Sequence, residues 1–159
     1  MSVFETSTLR AAGVHAAGAV GEAVETRANI FEMTQAAEDA VLRPKDAGGV
    51  PHALRAALAS RIAAQAGETA LAKQYADAAG DAVALSDPAQ DGGAEHRDLV
   101  AFVDKAATAT KDIAAEDIAR LQASGVADAD IVRLCELVAF VAYQVRVAAG
   151  LRLMQGAQS

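Results

Sequence analysis

The sequence predicts an all-α fold, on three observations. About a quarter of the 159 residues are Ala, the residue with the best intrinsic helix propensity. Aromatic residues make up 4% and there is no Trp, so helices must pack closely, with Leu, Ile and Val filling the remaining space. No stretch alternates β-branched and polar residues over the length of a strand. The chain is long enough for one domain, residues 1–159, with a core of its own. About six helices can be placed along it.

Residues 1–22 read as an N-terminal arm or a short helix, because Gly13, Gly18 and Gly21 fall close together and weaken a longer one. A first helix is expected from about Ala23 to Leu42, with Val24, Ala28 and Phe31 on one side and Ile30, Met33, Ala37 and Val41 near it. It stops at Arg43-Pro44, since the residue before proline disfavours the α region. Asp46-Ala47-Gly48-Gly49 is a loop, and Pro51 suits the first turn of the next helix. There Leu54, Leu58 and Ile62 recur every four residues among alanines and form a narrow apolar stripe. Gly67 interrupts it, a second piece runs from about Thr69 to Ala79, and Gly80 caps that piece. Residues 85–94 read as a linker between two helical halves: Ser86-Asp87-Pro88, then Asp91-Gly92-Gly93.

The second half holds three more helices. Glu95 to Ala107 points Leu99, Val100, Phe102, Val103 and Ala106 inward. Ala115 to Ser124 opens on Glu116-Asp117, favourable against the helix dipole, and stops at Gly125. Asp128 to Leu153 is long, with Asp128 or Asp130 as its cap. Leu137 to Tyr143 is apolar on every side, which predicts burial all round, in the bundle centre or a subunit interface.

Net charge is −7 and the basic residues are scattered, which argues against nucleic acid or an anionic membrane surface as partner. One cysteine, Cys135, excludes an intrachain disulfide and fits a reducing cytoplasm. No secretory signal is visible at the start, and the seven-residue run Leu137–Tyr143 is far short of the ~20 residues a membrane span needs. A soluble cytoplasmic protein is expected.

Two segments and one hairpin resemble a known family. From Pro51 to Gly80 the pattern resembles the helical hairpin of the AhpD-like, carboxymuconolactone decarboxylase (CMD) superfamily. Leu99 to Val132, with Ile113-Ala114-Ala115-Glu116-Asp117-Ile118 leading into Ala123-Ser124-Gly125-Val126-Ala127-Asp128, is similar to its peroxidase-related branch. Leu137 to Leu151 resembles a subgroup known only as CMD-domain proteins. The match covers roughly two thirds of the chain. The resemblance implies an oligomeric AhpD-like bundle. Peroxidatic members carry Cys-x-x-Cys at a helix start, whose thiolate attacks a peroxide and whose second thiol resolves the sulfenic acid. Here the two cysteine positions are Glu68 and Leu71, and the usual histidine falls at Gln74 or Tyr75. Neither Glu nor Leu forms a sulfenic acid or a disulfide, so the dithiol route is closed.

Other candidate residues divide between structural and chemical roles. Cys135 sits between Ile131 and Val138 and is expected as a small buried hydrophobe; a one-cysteine peroxidase is the alternative. Glu136, Gln144 and Arg146 interrupt the last helix. Ion pairs between helices or subunits explain them, or Glu136, Tyr143 and Arg146 line one side of a pocket. Glu68 and Tyr75 share a face if their helix is continuous; a solvated surface pair is expected, with acid–base work as the alternative. His15, His52 and His96 lack partners at metal-ligand spacing, and no glycine loop matches a phosphate-binding motif, so neither metal nor cofactor is expected. Three functions remain: an oligomeric binding or partner subunit, its partner a second copy or a cysteine-containing paralogue; a cofactor-free acid–base enzyme of the lactone decarboxylase type; and a residual peroxidase using Cys135.

Overall fold

In the computed structural model, residues 2–156 are described and every regular element is helical. Eight α-helices occur among them: α1 (Ser7–Ala12), α2 (Gly18–Thr26), α3 (Ala28–Leu42), α4 (His52–Gln65), α5 (Thr69–Ala76), α6 (Gly93–Thr108), α7 (Ala115–Ala123) and α8 (Asp128–Gly156). Short 3₁₀ segments span Val3–Glu5, Gly80–Ser86 and Thr110–Asp112. All-α is therefore correct, and about six helices is an undercount.

The two extra helices come from the N-terminal third. The expected arm is part of the core: in α1, Thr8 and Leu9 are almost completely buried. The expected helix from Ala23 to Leu42 is two, broken at Arg27, whose backbone (φ −117°, ψ 23°) ends α2 and begins α3. Gly21 is what brings α2 close to the preceding turn. A Cβ there would lie 2.5 Å from the carbonyl oxygens of His15 and Ala16, so the glycine that weakens the helix on propensity is required by the fold.

The centre of the bundle is α4. Every residue from Leu54 to Ala63 is buried, and the helix packs on α3, α5, α6, α8 and the Gly80–Ser86 turn. Its alanines let neighbours approach closely, while each buried Leu contributes roughly 1.5–3 kcal/mol. Two arginines are buried with them. Arg55 donates to the carbonyls of Val50 (2.7 Å), Val41 (2.9 Å) and Ala47 (2.9 Å), fixing the loop after α3. Arg61 donates to both oxygens of Asp104 in α6 (2.6 and 2.7 Å) and to the carbonyls of Leu85 (3.3 Å), Asp87 (2.6 Å) and Pro88 (3.0 Å). All five of its N–H groups are used. The stretch expected as a linker, residues 85–94, is thus the end of a 3₁₀ turn, a loop held to α4 through Arg61, and the first residues of α6.

The long helix α8 packs against α1, α2, α3, α4, α6 and α7. By length and composition it could cross a membrane: an 18-residue window has mean hydropathy 1.5, and 44% of that window is buried within the fold. Within one chain its middle is not buried all round. Leu137, Val138, Phe140 and Val141 are buried, but Ala139 and Tyr143 are exposed, Tyr143 by 40%. α8 lies on the flank of the bundle centred on α4, so one of its faces stays open. Its start is tied down by Asp130, whose carboxylate accepts the Gly49 N–H (3.0 and 3.1 Å) and pairs with Arg133 (2.9 Å). Asp130 clamps the α3–α4 loop rather than simply capping its own helix. The main apolar core runs from Leu9 to Leu151, and Ala56, Ala57 and Ala79 form a small second cluster.

Candidate functional site

The α4–α5 hairpin carries Glu68, Leu71 and Tyr75, the positions singled out by the sequence resemblance. Gly67, in the left-handed region at φ 77°, turns the chain between the helices, and Glu68 stands immediately before α5. Glu68 is the cap residue of α5, but its side chain accepts none of the helix N–H groups. Glu68 is buried, with 4% exposure, and its Oε1 accepts from the Arg152 guanidinium of α8, which also donates to the Ala11 carbonyl (3.2 Å). Leu71 is fully buried in the core. Tyr75 is buried as well, one turn further along. The expected solvated Glu68–Tyr75 pair does not exist. Both side chains are buried and each has its own partners, because α1 packs over α5 and α8 reaches across to Glu68.

Tyr75 belongs to a closed polar network. Its hydroxyl bonds Gln144 Oε1 of α8 and lies 3.3 Å from Glu38 Oε2 of α3. Gln144 Nε2 donates to Glu38 Oε2 (2.6 Å) and to Thr8 Oγ1 (3.1 Å), and Ser7 Oγ donates to Glu38 Oε1 (2.7 Å). Glu38, Tyr75, Gln144 and Thr8 are all at most 4% exposed. Burial first, and then the Glu38 charge, push the Tyr75 phenol well above its ordinary range. A phenol so held keeps its proton near neutral pH. The network joins α1, α3, α5 and α8 by satisfied hydrogen bonds, and its members line none of five surface hollows among the described residues.

The open site lies on the other side of α8. A groove of about 570 Å³ runs between α6, α7 and α8, lined by Phe102, Ala106, Val138 and Ala139 and by Ile113 and Ile118. Small residues on α6 and α8 leave the space; Ala at these positions fills less volume than the helix separation allows. Cys135 and Arg146 also line it. A second hollow of about 360 Å³ adjoins, sharing Ala107, Ala142 and Arg146 and adding Gln65 and Thr108. Arg146 stands where the two meet. One N–H of its guanidinium donates to the Ala142 carbonyl of its own helix (3.1 Å), and it has no carboxylate partner among the described residues.

Cys135 is exposed, which corrects the expectation that it is buried and structural. Ile131, Leu134 and Val138 face the core, and Cys135 falls just outside their arc, toward the groove. Its thiol is pushed upward, first by partial burial and then by the Glu136 charge. That is the opposite of thiolate activation.

The other candidates divide. Arg146 lines the groove, whereas Glu136 and Tyr143 do not. Glu136 is exposed, and Tyr143 bonds Thr34 Oγ1 of α3 (2.9 Å). The residues that sequence reasoning passed over are Glu38, Arg55 and Arg61. The two arginines flank the Leu54–Leu58–Ile62 stripe, and charges beside an apolar stripe on an Ala-rich helix are the one available signal. Glu38 had none. His52 bonds the Pro44 carbonyl (2.9 Å), and no cluster of three metal-ligating side chains occurs among the described residues. No protein-family model, curated protein or solved structure matches the chain.

Proposed function

We propose that the chain is a binding domain without dithiol chemistry, of AhpD-like, CMD-type ancestry, that takes an apolar ligand in the α6–α7–α8 groove and works as a soluble cytoplasmic oligomer. The observation that carries this reading is the groove itself: about 570 Å³, within the range of small-molecule sites, apolar, and open to solvent. The ancestry rests on the resemblance of the α4–α5 hairpin, the α6–α7 segment and α8, and the all-helical bundle agrees with it. Glu68–Arg152 and buried Leu71 stand at the two cysteine positions, which supports loss of the dithiol rather than its relocation. Oligomerisation is supported by exposed Met33 on α3 and Val132, Tyr143, Leu153 and Met154 on α8, which a second copy or a cysteine-containing paralogue would cover.

The acid–base enzyme has less support, since Tyr75 and Glu38 are sealed from solvent and the phenol holds its proton. Exposure of Cys135 keeps a one-cysteine peroxidase as the second reading. The upward push on its thiol weighs against it.

The test is binding of N-phenyl-1-naphthylamine, an uncharged apolar fluorophore, to the wild type and to Ala139→Trp. The tryptophan fills the groove from an exposed position and leaves the core intact. Saturable binding lost in the variant supports the proposal. Equal binding by both proteins, or none by either, refutes it.

A further inference from the structure

We infer that the ligand of this groove is an amphiphilic carboxylate, its chain lying along α6 and α8 and its headgroup paired with Arg146. This rests on the groove being a binding site and specifies what it selects. Neither hollow is lined by an Asp or Glu, although the chain contains 21 of them. Arg146 is the only charged side chain lining either hollow and lines both. A cation without a counterion beside an apolar groove fits an anionic headgroup on an apolar tail, and a planar guanidinium suits a carboxylate in particular.

A second observation marks the same end as polar. Gln65 donates through Nε2 to Asp104 Oδ1 (2.7 Å), which fixes the orientation of its amide. Gln65 lines the hollow beside Arg146, and its Oε1 is left buried without a partner. A buried acceptor without a partner is unfavourable by about 1–3 kcal/mol, so a ligand hydroxyl or a water held by the headgroup would relieve it. The 570 Å³ portion offers apolar walls for the tail: Phe102, Ile113, Ile118 and Val138. Chain and headgroup therefore have separate, adjoining places.

The experiment is displacement of N-phenyl-1-naphthylamine by decanoate, decanol and decylammonium below their micellar concentrations. It is run on wild type, Arg146→Gln and Arg146→Lys, each checked for fold by circular dichroism. The readout is the ratio of decanoate to decanol affinity within each protein, which removes differences in overall affinity. The ratio should fall about three- to tenfold in Arg146→Gln, the worth of a partly exposed charge-assisted pair. Arg146→Lys should retain part of it, and decylammonium should displace worst from the wild type. An unchanged ratio in Arg146→Gln, with the fluorophore still bound in the groove, overturns the carboxylate inference and leaves the binding domain standing. Failure of the fluorophore to bind the wild type overturns both.

Discussion

Replacing Arg61 with Ala should destabilise the protein by about 3 kcal/mol. Arg61 is 1% exposed and has all five N–H groups engaged. Breaking a buried ion pair by removing one partner is worth about 3–5 kcal/mol, because the other charge is stranded. The lower end applies here. Asp104 is 29% exposed and keeps the Gln65 amide as a donor, and the carbonyls of Leu85, Asp87 and Pro88 belong to a surface loop that water can reach. Urea unfolding reads the effect. With a slope of about 2 kcal/mol/M for a chain this size, the midpoint should fall by about 1.5 M. Arg61→Lys should recover only part, since an ammonium cannot satisfy a bidentate carboxylate and three carbonyls together. Because Asp104 lies on α6, the wall of the groove, loosening it should also weaken fluorophore binding in buffer. A midpoint shift below about 0.3 M in Arg61→Ala, with residues 85–91 still resistant to proteolysis, would refute this account of how the connection is held.

Gln144→Leu should lower stability by about 2–4 kcal/mol in denaturant titrations, because it strips the Glu38 carboxylate and the Thr8 hydroxyl of a buried donor; a neutral effect would contradict the closed network. Cys135 should react completely with a bulky disulfide reagent in native buffer, with its rate still climbing with pH beyond the ordinary thiol value of about 8.5 instead of levelling off there, since burial and Glu136 disfavour the thiolate. Labelling that requires denaturant, or is already maximal at neutral pH, would show otherwise. The Lys105 ammonium and then the Ala114 N–H hold the Asp117 carboxyl below the usual carboxylate range. A depressed folded pKa means that this stabilisation is present above the unfolded value, about 3.9, and is lost as pH falls through the folded value. Asp117→Asn should therefore flatten the acid limb of stability against pH, and an unaltered limb would count against the pairing. Sedimentation at micromolar concentration should give at least a dimer, and a stable monomer would refute the oligomer.

Helix positions were legible where local signals agree. α6 and α7 form within a residue or two of their expected bounds, set by the glycine-rich stretch before α6 and Gly125 after α7. α8 begins at Asp128 as expected. The N-terminal third was not legible, because its glycines were weighed on propensity alone. Gly21 is required by the carbonyls of His15 and Ala16, a contact between segments that no local pattern reports. The same limit governs the site. Tyr75 and Gln144 are 69 residues apart, and Gln144 and Thr8 are 136 apart. Only the packing of α1, α3, α5 and α8 brings them together. Cys135 was misplaced because its neighbours Ile131 and Val138 define an apolar arc whose edge, rather than its centre, holds the cysteine. Arg146 was singled out on the correct helix, but the groove it edges depends on small residues of α6, which periodicity treats as plain core.

The most direct test of the central claim is a backbone-resolved NMR titration of the wild-type protein with decanoate. The account predicts saturable shifts confined to α6, the start of α7 and the outer face of α8, around Phe102, Ala106, Ile118, Ala139 and Arg146, with Glu68, Tyr75 and Gln144 unmoved. Shifts centred on the α4–α5 hairpin, around Glu68 and Leu71, would place the working site there and contradict it.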